Sequence, residues 1–175
     1  MSKNIQEHQA DDLFFQADHL IKDNKIGEAK ELLLSIVREI PEYGRAYNHL
    51  GWLFENKYQD YVKSEYYYEQ ALKHAPTYLP MYYNFAVLLS NIKKFDACEE
   101  LLNKALEVPG INLATIYNEF GIVNELRGNM VKAIECYQTS IKHLLDANAI
   151  ELRLKSIERC RQKQNYFAGG YKKDA

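Results

Sequence analysis

The strongest constraint on this chain is a period. Leu50-Gly51 returns as Phe85-Ala86 and again as Phe120-Gly121, 35 residues on each time. A fainter first copy holds Ala17 where the glycines fall, and a small residue recurs in step at Ala29, Ser64, Cys98 and Ala133. Prolines close three of the copies, at Pro41, Pro76 and Pro109. Self-similarity at a spacing of roughly 20 to 50 residues marks a stacked repeat. Such a stack builds an extended surface for holding something and rarely a chemical pocket.

The copy from Ala114 to Ile141 shows what one repeat is. Apolar or small residues fall at Tyr117, Phe120, Gly121 and Ile122, then at Met130, Ala133, Ile134, Tyr137 and Ile141. Steps of three and four within each half put them on one face of a helix. Arg127-Gly128-Asn129 separates the halves, and Gly128 can adopt the left-handed conformation that ends a helix. The unit is helix, tight turn, helix. Gly121 and Ala133 remove bulk where the two axes approach, and Tyr117, Phe120 and Tyr137 fill the flanks. The second copy offers Tyr47, Leu50, Gly51, Ser64, Tyr68 and Ala71, the third Tyr82, Phe85, Ala86, Cys98, Leu102 and Ala105, and the first Leu13, Ala17, Ala29, Leu33 and Ile36. The second turn carries one extra residue, within Asn56 to Asp60.

The stretches YNHLGWLF, YYNFAVLL and YNEFGIVN, with SEYYYEQAL, ACEELLNKAL and AIECYQTSI, resemble the tetratricopeptide repeat over about residues 10–147. Gln16 at a leucine position, Asn124 at a tyrosine position and the missing proline of the fourth copy depart from that pattern. The resemblance implies an all-α fold: a right-handed α-solenoid of four helix hairpins with a C-terminal capping helix. The expected layout is a flexible N-terminus at 1–9 and one domain at 10–165, with repeats near 10–43, 44–78, 79–113 and 114–147. A capping helix at 148–165 and a flexible tail at 166–175 follow. In the cap, Ile150, Leu154, Ile157 and Cys160 form one apolar stripe, and the remaining residues are polar.

In that family the first helix of each pair lines the inner face, where peptides lie. By position this implies a groove with Phe14 and Asp18 from the first copy, Arg45, Asn48 and Trp52 from the second, Tyr83, Asn84 and Val87 from the third, and Asn118 and Ile122 from the fourth. Asn48, Asn84 and Asn118 each follow a tyrosine. A carboxamide both donates and accepts, so a row of them suits an extended peptide backbone; bridging neighbouring helices is the other role open to them. Trp52, the only tryptophan, either anchors an apolar partner side chain or packs against the next repeat. The carboxylate clamp of some family members is not expected. Its positions hold Phe14, Asp18, His49, Pro80 and Asn84 in one register and Asn48, Trp52, Asn84, Thr115 and Glu119 in the next. Neither set contains a cation to pair a carboxylate.

Composition narrows the rest. With 22 basic and 24 acidic residues the net charge is −2, so nucleic acid is not an expected partner. The basic residues between Arg153 and Lys163 alternate with Glu151 and Glu158, as on a solvated helix face. Cys98, Cys136 and Cys160 form no CxxC and are expected as reduced thiols, most simply in the cytoplasm. MSKNIQEHQADD lacks the apolar run of a secretory leader, and no run approaches the roughly 20 residues of a membrane span. Five dispersed histidines show no metal-ligand spacing, and no phosphate loop or nucleophile motif occurs. The expected function is a scaffold or adaptor binding a partner peptide or segment in the groove, without catalysis, cofactor or metal. A dedicated chaperone for a secreted or assembling client, and a self-associating structural module, are the alternatives.

Overall fold

The computed structural model describes the backbone of residues 3–168 and the side chains of residues 8–167. Of the segments expected to be flexible, residues 1–2 and 169–175 lie outside the described residues. Within them the chain runs α1 (Lys3–Lys22), α2 (Ile26–Glu39), α3 (Gly44–Asn56), α4 (Tyr61–His74), α5 (Leu79–Asn91), α6 (Phe95–Leu106), α7 (Leu113–Leu126), α8 (Met130–Lys142) and α9 (Ala147–Ala168). Helix α1 starts at Lys3, within the stretch expected to be flexible, because residues 3–9 contain neither Gly nor Pro to stop it. For the same reason α9 reaches Ala168.

The turns repeat as faithfully as the helices. Within the hairpins, left-handed backbone occurs at Asn24 (φ 59°), Gln59 (φ 54°), Lys93 (φ 60°) and Gly128 (φ 86°), one position per hairpin turn and 34 or 35 residues apart; Gly110 (φ 82°) adopts it between α6 and α7. Gly128 behaves as its sequence predicts; the other three hairpin residues carry a Cβ in a region that disfavours one. The turn before α4 spans residues 57–60 against 127–129 before α8, which is the predicted extra residue. Asp60 caps α4 by accepting from the Lys63 amide at 3.1 Å, and Asn112 caps α7 by accepting from Thr115 at 3.0 Å.

The chain forms two compact units, one ending at Ile92 and one starting at Lys93. In the first, Ala10, Phe14, Ala17, Leu33, Ile36, Leu50, Leu53 and Phe54 build a core. Helices α3 and α4 approach so closely that a Cβ on Gly51 would stand 2.7 Å from the Tyr68 ring. The small Ser64 serves this contact and donates its hydroxyl to the Gly51 carbonyl at 2.9 Å. Of the run Tyr66-Tyr67-Tyr68, the last is fully buried and Tyr66 is exposed.

The second unit repeats this device. A Cβ on Gly121 would meet the Tyr137 ring at 2.5 Å, and Ser140 donates to the Ala114 carbonyl at 2.6 Å. Helix α9 closes the unit by laying Ile157 and Cys160 on Met130, Ala133 and Tyr137. Leu154, expected in the packed stripe, is instead 52% exposed. The helix is rolled so that Arg159 and Lys163 reach Glu125 of α7. Arg159 donates twice to it, at 2.7 Å from both Nε and Nη2, and Lys163 donates at 2.8 Å. Tyr137 adds its hydroxyl at 2.9 Å. The two cations of α9 thus take charge-assisted bonds to Glu125 where the leucine gives up its place in the core.

Candidate binding pocket on the first helices

Three successive first helices of the first unit, α1, α3 and α5, supply one open pocket of about 240 Å³. Asp18 and Ile21 come from α1, Asn48, His49 and Trp52 from α3, and Asn84 from α5. Their spacing follows from helix geometry: Asp18 and Ile21 are one turn apart, as are Asn48 and Trp52, so each pair points from one face. Four of the ten residues marked by the sequence therefore meet here. Ile21 and His49 join them; both lie one helical turn from a marked residue, Asp18 and Arg45 respectively.

Asn84 donates from Nδ2 to Asn48 Oδ1 at 3.1 Å. The two carboxamides thus bridge α3 and α5, and one of the two roles left open for them is occupied between themselves. Asn48 is almost fully buried, whereas Asn84 is half-buried at the pocket. Trp52 stands between core and pocket. It packs on the rim of the core and keeps one side on the pocket.

Charge in the pocket is sparse. Asp18 pairs with Lys22 at 2.6 Å along α1, and that hydrogen bond holds its carboxyl below the usual range. His49 Nε2 stands 3.8 Å from Asp18 Oδ1. Burial pushes the His49 imidazole down, against the opposing pull of Asp18, so it is neutral at neutral pH.

The remaining predicted residues fall elsewhere. Phe14 is buried, with the His49 ring edge-on at 4.5 Å and the Arg45 guanidinium 4.7 Å above it. It supports the pocket from below and offers a ligand almost no surface. Arg45 reaches Asp11 at 3.3 Å, and Asp11 also accepts from the Tyr43 hydroxyl at 2.5 Å. Tyr83 is 47% exposed on α5, and Val87 is half-buried there. In the second unit Asn118 donates to the neighbouring Glu119 at 2.9 Å, and Ile122 packs against the Met130–Tyr137 core.

A family model described as the tetratricopeptide repeat matches residues 79–110. Residues 79–110 thus match a tetratricopeptide repeat. The structure of the chain resembles solved proteins with this repeat over nearly its whole length. The pilF protein of Pseudomonas aeruginosa superposes with a TM-score of 0.77 at 16% identity, covering 97% of this chain and 79% of that one. MamA from Desulfovibrio magneticus RS-1, residue 41 to its end, gives 0.65 at 16% identity, covering 95% and 97%. A further MamA structure gives 0.66 at 16% identity, covering 91% and 88%. No curated protein sequence matches the chain. These likenesses make the fold an all-α helical solenoid. Among the described residues no group of three His, Cys, Asp or Glu is placed to hold a metal ion, and no helix is long and apolar enough to cross a membrane.

Proposed function

We propose that this tetratricopeptide chain is an interaction scaffold that holds a peptide or extended segment of a partner protein on the face lined by its first helices, without chemistry. The observation that carries the reading is the convergence of α1, α3 and α5 on one pocket of mixed apolar, amide and carboxylate character. At about 240 Å³ it falls below the roughly 300–1,000 Å³ of small-molecule and cofactor sites. That size suits a single side chain presented by a longer ligand. Arg45, Tyr83 and Val87 flank it on the same helices, and Asn118 and Ile122 are the corresponding candidates on α7.

The hairpins supply rigidity. Side chains such as Tyr68, locked by packing and hydrogen bonds before a ligand arrives, have little freedom left to lose, so the ordering cost falls on the ligand. The three unbridged cysteines support a reducing compartment, most simply the cytoplasm.

The test compares proteins co-purified with the natural chain and with an Asp18→Ala, Trp52→Ala, Asn84→Ala variant, matched for helix content by circular dichroism. Loss of a defined partner from the variant is the expected result. An unchanged set of partners refutes the reading. A second variant, Asn118→Ala with Ile122→Ala, measures the contribution of α7.

A further inference from the structure

The pocket formed by Asp18, Ile21, Asn48, His49, Trp52 and Asn84 has a distinct chemical bias. Asp18 is its one ionised lining group, since His49 is neutral and no Lys or Arg lines it. His49 Nε2, at 3.8 Å, is beyond hydrogen-bond length from Asp18 Oδ1. Lys22 holds Asp18 from the same helix with a side chain that is 67% exposed. An exposed pair one turn apart gives way readily to a better-placed cation.

The aromatic wall has the same preference. Lys57 already carries its ammonium 5.8 Å from the centre of the Trp52 ring, within cation–π range. The side-chain carbonyl of Asn84 adds a neutral acceptor, because its hydrogen bond to Asn48 uses only the amide nitrogen. An anionic anchor would meet Asp18, whose cation Lys22 lies outside the lining and is already engaged, and a purely apolar one would strip water from the carboxylate without replacing it.

We propose that the pocket receives the side chain of a lysine or arginine from the partner peptide, with Asp18 pairing its charge, Trp52 flanking its aliphatic stem and Asn84 accepting a further N–H. The inference rests on the first helices being the peptide-binding face, and it adds the chemistry of the anchor.

The single tryptophan provides the readout, because Trp52 fluorescence reports occupancy of this pocket. The full chain is used to select binders from a random-sequence peptide library. The tightest are synthesised and titrated against the natural chain and against Asp18→Asn, both checked for equal helix content. Each peptide is then remade with citrulline for arginine or acetyl-lysine for lysine. Selected peptides should share a basic residue. Neutralising it should weaken binding to the natural chain about fivefold, as expected for a partly exposed ion pair, and to Asp18→Asn by less than about twofold. If peptides bind and alter Trp52 fluorescence without a shared basic residue, or lose as much affinity with Asp18→Asn, the anchor proposal fails and the peptide-binding reading stands. If no peptide is selected, or none alters Trp52 fluorescence, both fall.

Discussion

Glu55 and Glu125 occupy the same position in two repeats, four residues after Gly51 and Gly121, yet replacing each by glutamine should have opposite consequences. Burial raises both carboxyls, but at Glu125 it is outweighed by hydrogen bonds from Arg159, Lys163 and Tyr137, which take the pKa from 4.5 down to about 2. A folded-state pKa below the unfolded value gives stability that is full above pH 4.5 and fades as pH falls toward 2. At 1.36 kcal/mol per unit, the shift sets a ceiling of about 3 kcal/mol. Arg159 and Lys163 are 50% and 43% exposed, so solvent screening brings the expected loss for Glu125→Gln at neutral pH to about 2 kcal/mol.

At Glu55, burial wins over the hydrogen bonds from Tyr68 and Asn91, and the carboxyl is raised. Its contribution therefore has the reverse sign. Stability is present below pH 4.5 and is lost as pH rises through the elevated value. Glu55→Gln at neutral pH should cost nothing or stabilise, because an amide oxygen still accepts from the Tyr68 hydroxyl, which lies 3.1 Å from the carboxylate. Urea denaturation of both variants and the natural chain, followed by circular dichroism from neutral pH to below the carboxylate range, tests the pair. The gap between Glu125→Gln and the natural chain should close with acid. Equal losses for the two variants, or a Glu125 gap that does not change with pH, would refute the assignment of opposite signs.

Other outcomes follow from the close approaches and turns. Gly121→Ala should cost about 2–3 kcal/mol in chemical denaturation, since its Cβ would meet a Tyr137 ring that is itself fully buried; a loss under about 0.5 kcal/mol would show that the hairpin yields. Lys93→Gly and Gln59→Gly should each gain about 0.5–1 kcal/mol by relieving left-handed backbone at a side-chain-bearing residue. Gly128→Ala should lose a similar amount although open space surrounds it, and equal thermal midpoints across these three variants would contradict the account. Native alkylation should modify half-buried Cys136 first and Cys160 slowly, because Cys160 is fully enclosed and burial pushes its thiol up to about 11; peptide mapping that finds the two equally fast would refute this.

Where a residue type has only one use, the sequence was easily read. Gly51 and Gly121 mark the close approaches, and the recurring small residues Ser64 and Ala133 stand in the facing helices. The turns were less visible. Gly128, and more weakly Asn24, announces a left-handed residue in its hairpin turn, whereas Gln59 and Lys93 adopt it because the hairpin requires it, against their own preference. The pocket was half legible: Asp18, Asn48, Trp52 and Asn84 followed from family positions. Phe14 sits at the same kind of position, but its ring is covered by Arg45 and His49, a stacking that no spacing rule encodes. Leu154 was misplaced because hydrophobic periodicity carries no information on where Glu125 draws two cations of α9.

The bonds that fasten helix to helix also bear on how such a chain folds and evolves. From Tyr137–Glu125 at 12 residues, through Asn84–Asn48 at 36, to Lys163–Glu125 at 38, they close loops of about one repeat or less. Each loop forms at modest entropic cost, and no distant pairing has to be found first. Gene duplication could therefore insert or remove a hairpin while leaving the linkages on either side intact. The one junction that could not be shifted freely is the last, where Arg159 and Lys163 are matched to the carboxylate of a single repeat.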